Sequence, residues 1–294
     1  MKTTAKIILG LGVGLFIMSC SKEDNASAGL TVEEATINAR IDLANDDVSD
    51  IVEEQESFTY ANPVTGRSTE MSSSLLSTCA TITRVPAFGT PLTPGTQVTK
   101  TIDFGTTGCL LNNGNFVKGK IIISFLFQPN ASSHTITYTF DQFYHNGILL
   151  GGTKTFTRIM SAETPNSPSH PIVTMNMDLT ATFPNGNVYT RIGQRVREII
   201  EGYNTPSVLL DNVYQVTGSW TTTYPNLSDL TSTITTPLNV KMSCITPQKP
   251  LLVSGVITFV RNGNSATLDY GNGVCDNLAV YTFGGNSYNI IIGN

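Results

Sequence analysis

From Phe58 onward the chain alternates apolar and polar residues with a period of two. In residues 172–183, written IVTMNMDLTATF, Val173, Met175, Met177, Leu179, Ala181 and Phe183 fall on one face, and Thr174, Asn176, Asp178, Thr180 and Thr182 on the other. That spacing marks an antiparallel strand with one dry face and one wet face. The same alternation runs through 134–140, 213–224 and 256–260. Asn-Gly occurs at 113, 146, 185, 262 and 272, each time between extended runs. This dipeptide tolerates the positive φ of a type I′ turn, so it reads as a set of hairpin tips. Pro165, Pro168 and Pro171 bracket a mid-chain loop. The pattern predicts an all-β domain over 58–294, an antiparallel meander built as a sandwich, a flattened barrel or an extended sheet.

Before Phe58 the period is that of a helix. Ile37, Ile41, Ala44, Val48 and Ile51 recur at four-three-four-three spacing, and Thr31 with Glu34 forms a capping box. One amphipathic helix is therefore expected over 31–57. Asp46, Asp47 and Asp50 lack the loop glycine and spacing of a calcium-binding EF-hand and read as its solvated face.

A phrase is written twice, TIDFGTTGC at 101–109 and TLDYGNGVC at 267–275. Cys79 stands 24 residues before Asp103, Cys244 stands 25 before Asp269, and an isoleucine-rich segment follows each copy. The two stretches, near 79–124 and 244–293, read as one structural unit used twice. Four thiols in an oxidising compartment imply two bridges with three connectivities, and the matched spacing favours Cys79 with Cys109 and Cys244 with Cys275. Asp103 and Asp269 each precede an aromatic and a glycine, as the first residue of an Asx turn does. A calcium site made of Asp269, Asn272, Asp276 and Asn277 is the alternative reading, and the first copy weakens it by placing Thr106 and Leu110 where Asn272 and Asp276 stand. No other cofactor is expected.

The N-terminus supplies a location. Lys2 and Lys6 precede an apolar run from Ile7 to Met18, the length of a signal-peptide core and too short for a spanning helix. Ile17-Met18-Ser19-Cys20 resembles a bacterial lipobox, and Cys20-Ser21-Lys22-Glu23-Asp24 resembles the export signal of Bacteroidetes surface lipoproteins. The resemblance implies that 1–19 is removed, that Cys20 carries the lipid, and that 20–30 is a tether. It places the protein at the outer membrane facing the exterior, with the bilayer as a partner through the anchor alone.

Charge changes the picture in one respect. Residues 23–56 hold eleven acids against one base, Arg40, whereas 57–294 hold eleven acids and thirteen bases. An acidic leader precedes a near-neutral body, and nothing in that body has the footprint of a nucleic-acid binder. Arg191, Arg195 and Arg197 fall on one strand face, and the leader helix is expected to dock across them or to bind there in place of another anion. Tyr214, Trp220 and Tyr224 share another strand face, a candidate platform for stacking on a glycan if exposed and a core row if not. The three histidines have no metal-ligand spacing, and no nucleophile elbow or phosphate loop occurs. The expected role is therefore binding, of a glycan or another surface protein, or structural, and not enzymatic. A cross-strand carboxylate pair of the glycosidase kind is the remaining catalytic alternative.

Overall fold

The computed structural model describes residues 30–65, 74–164, 168–205, 208–246 and 249–293. Helix α1 spans Val32–Ala61 and is followed by β1 (Thr81–Val85), β2 (Thr96–Asp103), β3 (Cys109–Leu110), β4 (Phe116–Phe127) and β5 (Ser133–His145). Then come β6 (Ile148–Met160), β7 (Pro171–Thr182), β8 (Val188–Glu201), β9 (Val213–Thr223) and β10 (Leu230–Lys241). The last four are β11 (Leu252–Arg261), β12 (Asn264–Asn272), β13 (Leu278–Phe283) and β14 (Asn286–Ile291). All belong to one antiparallel sheet in sequence order, except that the short β3 pairs beside β4. The path ends at β1 and β14 without closing into a barrel.

The expected alternation holds through the central strands. On β7, Val173, Met175, Met177, Leu179 and Ala181 are buried and the intervening residues are not. On the outer face a single cross-strand row runs from Thr99 through Ser124, Thr137, Thr155, Asn176 and Gln194. It continues through Ser219, Thr233, Thr258, Thr267 and Thr282. None of these side chains is buried. Hydroxyl and amide groups thus face water across eleven strands, with β-branched threonine suited to the pleat.

The inner face wraps the helix. Lys100 on β2 and Arg261 on β11 both bond to α1. In a flat sheet these strands would stand eight spacings apart, roughly 38 Å, whereas a helix with its side chains is about 10 Å across. The sheet must therefore curl around α1. The wrap is complete enough that no residue between Glu34 and Glu56 is exposed. The expectation of a solvated acidic face is corrected: Asp47 is 1% exposed and Asp50 is 5% exposed. The helix also runs four residues past its expected end, to Ala61.

Turn chemistry and bridges follow the sequence closely, with one departure. Asn146-Gly147 and Asn262-Gly263 form two-residue hairpin tips with positive φ at both positions. Asn272-Gly273 does not form a tip. It lies where β12 leaves the sheet, and the Gly273 amide donates to Val253 O. Cys79 is bonded to Cys109 and Cys244 to Cys275, with Cα separations of 5.8 and 5.4 Å. Each bridge closes a loop of about 30 residues, a contribution of roughly 3 to 4 kcal/mol through the entropy of the unfolded chain. The two copies of the repeated unit share the bridge and the turn and then diverge. In the first copy the isoleucine strand β4 pairs directly with β2, whereas in the second β13 intervenes between β12 and β14.

Two glycines with nearly the same φ separate turn geometry from close packing. Gly119, at φ +84°, sits at a register shift between β4 and β5, where a Cβ would lie 1.9 Å from Gln142 O. Gly263, at φ +80°, has open space around it. Gly263→Ala should cost about 1 kcal/mol, the penalty of a left-handed backbone alone. Gly119→Ala should cost at least about 2 kcal/mol more, because backbone must move. Denaturant unfolding of the two variants measures the difference, and equal costs would show that Gly119 is not a packing point.

Candidate functional site

The charged groups of the interior are sorted by element. The buried carboxylates among the described residues, Glu34, Asp42, Asp47, Asp50, Glu53, Glu54 and Glu56, are all on α1. The buried bases come from the strands and their flanks, including Lys100, His145, Lys154, Arg191, Arg195, Arg197 and Arg261. A charge leaves water only when it is paired and hydrogen-bonded, so the helix and the sheet interior depend on each other.

Helix α1 meets β8 along one seam. Asn38, Asp42, Asp46 and Asp50 stand one helical turn apart, an advance of about 6 Å per step. Alternate residues on a strand advance by nearly the same distance, about 6.7 Å. Arg191 donates to Asp42 Oδ1 at 2.6 Å and to Asn38 Oδ1 at 2.6 Å. Arg195 reaches Asp42 at 2.5 Å and Asp46 at 3.0 Å, and Arg197 pairs with Asp50 and lies 3.6 Å from Glu53. The three arginines that the sequence singles out thus lie against the leader helix, each with an acid one turn further along.

The aromatic row forms the floor beneath these guanidiniums. Trp220 lies opposite Gly193, where a Cβ would come within 2.5 Å of it, and its ring sits under Arg191 and Arg195 at 5.5 and 4.1 Å. Arg197 covers Tyr214 at 3.7 Å, and Arg261 covers Tyr224 at 4.4 Å. Each guanidinium is held between a ring and a carboxylate, a geometry that suits its planar, weakly hydrated cation. Trp220 is 2% exposed and Tyr224 is 6% exposed. Of the two readings of Tyr214, Trp220 and Tyr224, the core row therefore holds and the glycan platform does not: the arginines occupy the space in which a sugar would stack.

Other acids of the helix reach other strands. Asp47 accepts from Asn113 and Asn115 at 2.8 and 2.7 Å, and His145 Nε2 lies 2.7 Å from its second oxygen. One carboxylate thereby ties together the turn before β4 and the tip after β5. Glu34 closes the capping box with Thr31 and pairs with Arg261, while Glu56 lies between His134 and Arg158. Beyond the helix end, Arg84 spreads its guanidinium over five backbone carbonyls, among them Pro63, Val64 and Thr90. Sequence reasoning missed Asn38, Asp42, Lys100, His145 and Arg261. Their signal was present: each base occupies an inward slot of an alternating strand, as Lys100 does between Val98 and Ile102.

The remaining candidates serve turns. Asp103 Oδ1 accepts from Gly105 N and Asp269 Oδ1 from Gly271 N, both at 2.8 Å, the same Asx turn in the two copies. Asp276 Oδ1 accepts from Leu278 N at 3.0 Å. Asp269 and Asp276, the two carboxylates of the alternative calcium reading, thus each hold a local turn through one oxygen, and among the described residues no group of three or more His, Cys, Asp or Glu side chains could hold a metal ion. Cys20 lies outside the described residues. In comparisons with known proteins, no family model, curated protein or solved structure matches the chain.

Burial leaves some of these groups far from their ordinary titration range. It raises Asp50 to about 7, against the pull of Arg197, and Glu54 to about 8, against a hydrogen bond from Ser74. It lowers Lys100 and Lys154 to about 7. An unfolded glutamate titrates near pH 4.3, so between about pH 5 and pH 8 the native chain holds protons that the unfolded chain has released. Asp50 and Glu54 therefore make stability fall as pH rises through that window. The two lysines act oppositely and raise it above about pH 7.

Two outcomes follow from the seam. Glu54→Gln should gain stability at pH 8, on the order of a few kcal/mol, and flatten the decline from pH 5 in urea unfolding; an unchanged slope would contradict the burial of that charge. Reversing Arg191, Arg195 and Arg197 to glutamate should set like charges against the helix and release it. Trypsin would then cut at Arg40, the sole base of 23–56, at a rate well above wild type, as read by mass spectrometry. Equal rates would mean that the seam does not hold the helix.

Proposed function

We propose that the chain is a lipid-anchored protein of the outer membrane, tethered through Cys20 and facing the cell exterior, with a binding or structural role and not a catalytic one. The observation that carries this reading is the outer face of the sheet. A membrane-spanning barrel needs an outward apolar band about 25 Å tall. Here the central outward row is threonine, serine, asparagine and glutamine. Among the described residues no helix is long and apolar enough to cross a bilayer. A body with such a surface meets a membrane through an added anchor, and the lipobox-like stretch ending at Cys20 supplies one.

The fate of the ionisable groups supports the non-catalytic part. The arginines of β8 and the acids of α1 neutralise one another inside the wrap, where they serve the fold. The acidic stretch 23–56, which on charge alone could be a spacer over the membrane, is for most of its length the filling of the sheet.

Expression in a bacterium with lipoprotein processing should give a mature protein that begins at Cys20, carries acyl chains by intact mass and fractionates with the outer membrane. Cys20→Ala should abolish the adduct and move the protein to the soluble fraction with its fold intact. Membrane retention of that variant would refute the anchor.

A further inference from the structure

The sheet ends differently on its two sides. Strand β1 runs into Pro86, and its buried Arg84 straps it to carbonyls of residues 63, 64, 86, 87 and 90. A proline and an inward-pointing charge are devices that keep an edge from pairing with another chain. Strand β14 has neither. It reads NSYNII, and residues 277–294 contain no Asp, Glu, Lys, Arg or Pro. The Ile292 amide donates to Asn277 O, which sets the hydrogen-bond phase of the strand. Counted back along the register with β13, Asn286, Tyr288 and Ile290 turn their backbone groups toward β13, and Ser287, Asn289 and Ile291 turn theirs away. Among the described residues no strand lies beyond them. All of β14 except Ile290 is exposed, Tyr288 at 44% and Ile291 at 55%. Leu278 and Val280, beside it on the outer face of β13, are exposed as well.

We propose that β14 pairs antiparallel with β14 of a second copy of this chain, about a two-fold axis at Asn289, so that two sheets become one. The free row is complementary to itself. With Asn289 opposite its own copy, Ser287 faces Ile291 of the second chain and Ile291 faces its Ser287. All three residues that turn away from β13 then find partners, roughly six hydrogen bonds at two for each facing pair. Side chains agree with the same register. The two Asn289 amides meet on the outer face, where each has a donor and an acceptor for the other. Tyr288 gains Ile290 of the second chain as its cross-strand neighbour. Charge does not oppose the contact. The outward charge in the cross-strand row of Asn289 is Asp269, two strands in from the edge. Its two copies would stand about 24 Å apart, beyond the screening length at physiological salt. On the inner side Glu34 and Arg261, the charges that act on Tyr281, are paired with each other. A two-fold contact also closes, since each copy uses its single β14 edge and the assembly stops at two. The pairing is separate from the lipid tether and does not depend on it.

The test is sedimentation equilibrium of the full, disulfide-intact chain in a mild detergent density-matched to the solvent. Only protein mass is then read, and copies that merely share a micelle separate as detergent is added. A dimer that dissociates to monomer on dilution of the protein is the expected result. Asn289 is exposed, so Asn289→Lys and Asn289→Asp should each fold, as checked by circular dichroism. Each sets like charges face to face across the axis and should weaken the dimer at least about tenfold. Mixed in equal amounts, the two variants should recover the dimer, because lysine then meets aspartate. A wild-type chain that is monomeric at every concentration, a mass that grows past two copies, an unchanged dimer in either variant alone, or no recovery on mixing would overturn the pairing.

Discussion

A helix with nine carboxylates and one arginine does not enter the inside of a sheet unaided. Each charge stripped of water costs several kcal/mol, and only a partner at hydrogen-bond distance returns most of it. The constraint on this molecule is that the sheet interior must bring bases, amides and hydroxyls to the places where the acids of α1 point. Arg191 and Arg195 share Asp42, Arg197 takes Asp50, Arg261 takes Glu34, and two asparagines and a histidine surround Asp47. Helix and sheet are therefore one folding problem. Without the bases the helix would stay in water, and without the helix the sheet interior would hold a row of unpaired cations.

The same constraint explains the shape. A sheet of fourteen strands is large enough to roll, split or stay flat, and the helix decides among these by offering partners all round its circumference. Strand curvature follows at local irregularities such as the Gly119 shift against Gln142. The cross-links then pin two places along it: one bridge holds the approach to β1 against β3, and the other holds the approach to β11 against the exit of β12. Both repeated phrases serve that purpose, with an aspartate starting the turn that presents the second cysteine.

The strands were legible because burial on one face writes itself as alternation, most plainly from Val173 to Ala181. The bridges were legible because Cys79, Cys109, Cys244 and Cys275 keep the same spacing in both copies. The enclosure of α1 was not. An apolar stripe of Ile37, Ile41, Ala44, Val48 and Ile51 implies one buried face, and acids on the remaining faces imply water. That inference fails when partners arrive from residues far along the chain, as Asn113, Asn115 and His145 arrive at Asp47. The docking of Arg191, Arg195 and Arg197 could be anticipated from charge, but not that their second faces would be covered by Trp220 and Tyr214. An aromatic row reads alike whether it faces a ligand or a guanidinium.

Backbone hydrogen exchange along α1 tests the enclosure most directly. A helix held inside the sheet by ion pairs opens only when the sheet opens, so amides from Asn38 to Glu56 should exchange with the free energy of global unfolding, in step with the central strands β7 and β8. Exchange of those amides several kcal/mol more easily than the strands would contradict it, and would show α1 to be a detachable leader on a sheet that stands without it.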